Sequence, residues 1–273
     1  MLKASVSRFW GYVLLILLFA GTFYPFILMF MSSFKYQMQM IKEPWFFSFP
    51  LHFDNYAKAF TKIYLSMGNS VIVVLIGILV TLLVSSMAAF SFAKFEFPGK
   101  NFFFFFIIML LMIPGFALLI PQFIQIKDLG LYNTYLGQAL PPASNNAALG
   151  VLLMRTFFEG IPRSLFEAAE IEGCGEAAVF AKIVIPLSKP IMATVAIMGG
   201  LVIWNNFVWS LVCTTGEKVR PVILAITLLE GNINQGDGLK LAGYVLAALP
   251  LLVMFFFATK PFVSGLTAGA VKG

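Results

Sequence analysis

The chain has 273 residues, 60% hydrophobic and only 11% charged, with 31 Phe and a mean hydropathy of +0.93. Soluble domains run nearer half apolar and a quarter charged, so this composition excludes a soluble enzyme, a disordered chain and a disulfide scaffold, and indicates a membrane protein; apolar runs of helix length make the expected class all-α. The net charge of +6 is spread over singly placed Lys and Arg, which suits lipid headgroups and solvated loops rather than nucleic acid.

A bilayer crossing needs about 20 mostly apolar residues, and six windows qualify: Tyr12–Met31, Val71–Phe92, Phe102–Phe123, Leu136–Met154, Ile191–Cys213 and Leu241–Thr259. The first follows Lys3 and Arg8 but is longer than a signal-peptide core of about 7–15 residues, so it reads as an uncleaved span. The fourth contains Pro141, Pro142, Ser144, Asn145 and Asn146. A lipid-facing helix would not tolerate these, so an interrupted segment inside the protein is expected there. With the N-terminus inside, ten basic residues fall on the cytoplasmic side and eight outside, a slight positive-inside bias. Cys174 and Cys213 then lie on opposite sides of the bilayer and do not pair. His52 is the only histidine and reads as a surface residue, so no metal site is expected.

Between the fourth and fifth windows, Arg155–Lys189 is far longer than a helix-to-helix turn requires. Ser164 followed by Glu167 has the spacing of a capping box. Glu167, Glu170 and Glu172 place negative charge early in a short helix, where the dipole favours it. Gly173 supplies a left-handed helix end, and a second helix should start near Gly175 and Glu176 and stop at Pro186. Ala168 and Ala169 leave a shallow face on the first helix, suited to another protein's groove. Five of the 12 acidic residues, Glu159, Glu167, Glu170, Glu172 and Glu176, crowd into this loop.

Glu167-Ala168-Ala169, Gly173, Ile183 and Pro186 resemble the EAA loop of bacterial ABC importer permeases: E-A-A, three residues, G, nine residues, I-x-L-P. Ile185 stands where that pattern has Leu. Ala93–Lys100 is similar to the basic Pro-Gly loop of the same family, and Trp204-Asn-Asn-Phe-Val-Trp209 to the fifth-span motif of its carbohydrate permeases. The tail Gly265–Gly273 resembles that of the maltose-type second permease subunit. The resemblance implies the type I ABC importer permease fold, with six transmembrane helices and both termini cytoplasmic. It divides the chain into residues 1–69 (first helix and external loop), a core 70–260 that includes the coupling loop 160–186, and a cytoplasmic tail 261–273. It further implies that Glu167, Ala168, Ala169 and Gly173 dock on a cytoplasmic ATPase, whose closure swings the pore. The implied partners are a second homologous permease, two ATP-binding subunits and an external solute-binding protein, in a multi-pass bacterial inner-membrane assembly.

The chain itself has no G-x-x-x-x-G-K-[ST] phosphate loop and no Ser/His/Asp set, so no catalytic residue is expected. ATP and Mg²⁺ belong to a partner, and no cofactor is expected in this chain. Polar residues inside spans are costly and default to functional candidates. Asn145, Asn146, Asn205 and Asn206, beside Trp204 and Trp209, offer amides for sugar hydroxyls and indole faces for sugar C–H surfaces. The same Asn residues could equally join helices, and Trp209 could be an interfacial anchor. The outer loop 214–240 offers Asn232, Asn234, Gln235 and Asp237 as contacts for the binding protein. A permease of the same build for a non-sugar solute, or a secondary transporter, are the alternatives; the spans carry no evident coupling charge for the latter.

Overall fold

The structure is a computed structural model that describes residues 2–230 and 236–270, with side chains for 9–230 and 236–256. It is all-helical, with no strand among the described residues. The chain divides into two compact units, residues 1–64 with 225–249, and residues 65–224 with 250–273.

In the first unit, α1 (Leu2–Ser32) leaves the apolar side chains from Tyr12 to Phe26 largely exposed, and its most hydrophobic stretch buries nothing within the chain. A helix apolar on every face needs lipid or another apolar partner around it. A short α2 (Gln37–Lys42) follows, its entry held by the Tyr36 N–H donating to Gln39 Oε1 at 2.9 Å. α3 (Asp54–Lys94) then begins, and Asn55 Nδ2 donates to the Ser33 and Lys35 carbonyls at 3.0 and 3.1 Å. Phe34 packs edge-on against Phe53, and the Tyr36 ring stacks on His52. Trp45, Phe46, Phe47 and Phe49 are exposed, an apolar surface on this segment. The first turns of α3 pack on those of α13 (Gly238–Ala270) through Ala59, Leu239 and Ala242. A Cβ at Gly238 would lie 2.1 Å from the Lys35 carbonyl oxygen, so only glycine permits this approach.

The second unit holds the remainder of α3, α4 (Lys100–Met109), α5 (Leu119–Asp128), α6 (Tyr135–Glu159), α7 (Arg163–Ile171), α8 (Glu176–Val179), α9 (Ile185–Leu187), α10 (Lys189–Trp204) and α11 (Phe207–Cys213). α12 (Val222–Thr227) continues from it into the first unit. α3 and α6 meet through small polar residues. Thr81 Oγ1 donates to the Ala143 carbonyl at 3.2 Å and Ser85 Oγ to that of Ala147 at 3.0 Å. A Cβ at Gly150 would come within 2.4 Å of Ser85 Oγ. Without a hydrophobic drive between helices in lipid, small residues and interhelical hydrogen bonds carry such packing.

Among the described residues three helices are long and apolar enough to span: Phe9–Ser32, Asp54–Lys94 and Gly238–Phe256. The expected third crossing is not one helix. Ile113 is extended ahead of Pro114, as the ring of a proline requires of the residue before it, and the pieces Lys100–Met112 and Gly115–Asp128 meet at 97°. The expected fifth crossing also departs from a straight helix: α10 ends at Trp204, and α11 starts after Asn205 and Asn206. The fourth corrects in the opposite direction. α6 runs unbroken for 25 residues through Pro141 and Pro142, about 37 Å at 1.5 Å per residue.

Candidate functional site

The loop that follows α6 is a helix, a glycine bend and a second helix. α7 ends in a full Schellman closure. Gly173, at φ 74°, donates to the Glu170 carbonyl at 3.0 Å, and Cys174 donates to that of Ala169 at 2.9 Å. Nothing lies within 4 Å of a Cβ built on Gly173, so glycine is required there by backbone conformation and not by crowding.

Two details of this loop differ from expectation. The capping box is not formed: Pro162 holds the extended position before the helix and α7 opens at Arg163, so Ser164 falls inside the first turn and makes no cap bond. Pro186 does not stop the second helix either. Residues Phe180–Val184 form a π-turn ahead of it, α9 carries Pro186 near its start, and the break comes at Ser188. A wider turn before proline leaves room for a ring that has no N–H to offer. From there the chain bends by 76° into α10.

Around α7, Glu167, Ala168 and Gly173 are exposed, while Ala169 is buried against Ile161 and Val179 in the subunit's own core. The outward apolar group is instead Ile171, 87% exposed, with Leu165, at 40%, exposed nearer the start of the helix. Ile171 escaped the sequence reading because its exposure depends on where the glycine bend leaves it. Beside the helix lies a cleft of about 610 Å³ that includes Lys94, Lys100, Arg163, Glu96, Glu167 and Glu176. Lys94 pairs with Glu176. Lys100, bonded to Glu96 at 2.8 Å, holds that carboxyl below the usual carboxylate range.

A second cleft, about 510 Å³, opens where α4–α5 and α10–α11 are broken. Its lining brings together Asn145, Asn205, Asn206 and Trp209, and adds Gln122, Phe116 and Phe207. Asn146 turns elsewhere and donates to the Pro142 carbonyl at 2.8 Å. Trp204 is buried outside the lining.

Trp209 is buried, and its Nε1 donates to the Gly137 carbonyl at 3.0 Å. Gly137 lies four residues before Pro141, so its oxygen is the one that proline leaves without an intrahelical donor. The indole fills that gap, which is how α6 continues through the prolines. Gly137 also admits the preceding turn, since a Cβ there would sit 2.1 Å from the Leu131 carbonyl oxygen. Gln138, four residues before Pro142, is buried with its amide bonded to Thr214.

Of the residues expected to meet a binding protein, Asn232, Asn234 and Gln235 lie outside the described residues. Asp237 is described, and its N–H donates to Gln37 Oε1 at 3.4 Å. On the preceding side, Lys62 Nζ donates to the Glu230 carbonyl at 2.9 Å. Among the described residues no group of three or more His, Cys, Asp and Glu is placed to hold a metal ion.

A family model described as "Binding-protein-dependent transport system inner membrane component" matches residues 81–260. The chain belongs to this family. It is a family of membrane transport components and not of enzymes, and the loop described above falls within the matched span. Similar relatives are the probable ABC transporter permease protein YurM of Bacillus subtilis, 32% identical over 96% of this chain and 88% of the relative, and the arabinooligosaccharides transport system permease protein AraQ of Halalkalibacterium halodurans, 34% identical over 92% and 91%. A crystal structure of a bacterial ABC transporter involved in the import of the acidic polysaccharide alginate contains a chain of like fold. Its TM-score is 0.81, at 24% identity over 95% of this chain and 98% of that one. The chain has the type I importer permease fold.

Proposed function

We propose that this chain is one of two related permease subunits of an ATP-driven importer for a sugar or oligosaccharide. The observation that carries the reading is the loop 160–186, whose glycine-terminated α7 offers Glu167, Ala168 and Ile171 outward and whose second helical stretch bends by 76° into α10. A helix closed at its C-terminus transmits a push without fraying, and the bend delivers that push to the elements lining the second cleft. The arabinooligosaccharide permease among the relatives supports sugar as the cargo.

In this reading the chain crosses a bacterial inner membrane six times, with loop 160–186 and both termini in the cytoplasm. The bent pair Lys100–Met112 with Gly115–Asp128 supplies the third crossing, α6 the fourth, and α10 followed by α11 the fifth. Residues 1–69 form the first helix and external cap, 70–260 the core, and 261–273 a tail toward the ATPase. Two ATPase subunits hold the ATP and Mg²⁺, and docking on them uses Glu167, Ala168 and Gly173, with Ala169 packing the helix from within. Asn145, Asn205, Asn206 and Trp209 line the sugar's path. The outer loop, with Asn232, Asn234, Gln235 and Asp237, meets an external binding protein from a base held by Lys62 and Gln37.

The test is co-purification of the assembly carrying Glu167→Ala with Gly173→Ala, with ATPase activity measured alongside binding-protein stimulation. Loss of ATPase association or of stimulation is expected. A fully assembled, fully stimulated double variant would overturn the reading.

A further inference from the structure

The cleft beside the α4–α5 break has a lining whose chemistry bears on which sugars would pass, on the reading that the cleft lies on the substrate path. Four amides converge there from three separate stretches: Gln122 on α5, Asn145 on α6, and Asn205 with Asn206 at the α10–α11 break. Each already spends one hydrogen-bonding group inside the protein. Gln122 Nε2 donates to Asn145 Oδ1 at 2.9 Å, Asn205 Nδ2 donates to the Leu201 carbonyl at 2.9 Å, and Asn206 Oδ1 accepts the Trp209 N–H at 3.2 Å.

The chemistry of an amide sets which groups remain for a ligand. Gln122 and Asn205 keep carbonyl oxygens as acceptors; Asn145 and Asn206 keep NH₂ groups as donors. Turning the Gln122–Asn145 pair the other way round exchanges the two roles and leaves the same total. Phe116, 77% exposed, and Phe207 add flat apolar faces. No residue of the lining carries a charge.

A neutral sugar presents hydroxyls that both donate and accept, on a ring with an apolar C–H face, and this set of groups satisfies it. A uronic acid presents a carboxylate. In exchange for the water that ion sheds, this lining offers amide donors but no cation to pair with it. The permease of an arabinooligosaccharide system and the importer of an acidic polysaccharide, both similar to this chain, represent these two chemistries. We propose that the cleft passes neutral oligosaccharides and discriminates against uronate chains, with Gln122 and Asn145 as a paired specificity determinant.

The test uses the assembled transporter without its binding protein, so that the cleft and not the binding protein does the selecting. Val208 lines the cleft and is replaced by Cys for labelling with a maleimide. Cys174, which is exposed, is replaced by Ser, and Cys213 is buried and stays. Arabinotriose and trigalacturonate are the two probes. Arabinotriose should slow labelling about tenfold more than trigalacturonate does. Gln122→Lys should raise protection by trigalacturonate and lower that by arabinotriose. Equal protection by the two probes, unaltered by Gln122→Lys, would overturn the neutral-sugar assignment while leaving the cleft on the path. Protection by neither would overturn the path reading and the assignment with it.

Discussion

Replacing Trp209 by Phe should destabilise the protein through one carbonyl oxygen. The Trp209 indole donates at 3.0 Å to Gly137 O, and Pro141 has no N–H to take its place. Losing the indole N–H therefore leaves a buried acceptor unpaired, a cost of about 1–3 kcal/mol. Each kcal/mol corresponds to about 2–4 °C in melting temperature for a chain near this size. Trp204→Phe, at a buried indole outside the cleft, controls for the lost ring volume. The mechanism is separated from general damage by Pro141→Ala, which returns an N–H to the position four residues after Gly137. In that background Trp209→Phe should cost about 1 kcal/mol less, a coupling a double-mutant cycle resolves. The assay is thermal unfolding of the purified subunit assembly in one detergent, with all four variants side by side. An equal loss in both backgrounds would refute the account of how α6 passes its prolines.

Other substitutions test loop 160–186. Ile171→Ser removes an exposed apolar side chain whose burial on a partner is worth about 1.5–3 kcal/mol, so affinity for the ATPase should fall by tenfold or more, read by titration of the ATPase onto immobilised permease; unchanged affinity would remove Ile171 from the interface. Gly173→Ala forces an L residue to φ 74° and should cost about 1 kcal/mol, whereas Gly173→Asn, better suited to the left-handed region, should retain more binding-protein-stimulated ATPase activity. Ser164→Ala should leave thermal stability within about 0.5 kcal/mol, because that hydroxyl makes no cap bond; a larger loss would restore the capping box.

What was legible in the sequence was whatever depends on local chemistry. Composition alone indicated a membrane protein, since that many apolar side chains need lipid around them. Gly173 was legible because a left-handed helix end selects glycine with little regard to its surroundings. The fourth window was legible as unsuited to lipid for the same kind of reason: prolines and amides are costly wherever a lipid-facing helix runs. Failures came where a distant or adjacent group decided the outcome. Ser164 has capping-box spacing, but Pro162 starts the helix early enough to place it inside. Pro141 and Pro142 read as an interruption until an indole 72 residues away takes up the freed carbonyl. Gln122 and Phe116 gained meaning only once the chain turned at Pro114 and brought them beside Asn145 and Asn205. The Pro114-Gly115 pair inside an apolar run was the available signal, because a break at membrane depth is tolerated where it is buried or lines a cavity.

Coupling of this permease to ATP hydrolysis elsewhere in the assembly is the role proposed for loop 160–186. Its most direct measurement is uptake of labelled arabinooligosaccharide into proteoliposomes that hold this chain, its partner permease, the ATPase subunits and the binding protein, with and without ATP on the side that faces the loop. The account predicts uptake that requires ATP on that side and disappears in the Glu167→Ala, Gly173→Ala double variant. Uptake that continues without ATP, or that the double variant leaves intact, would contradict it.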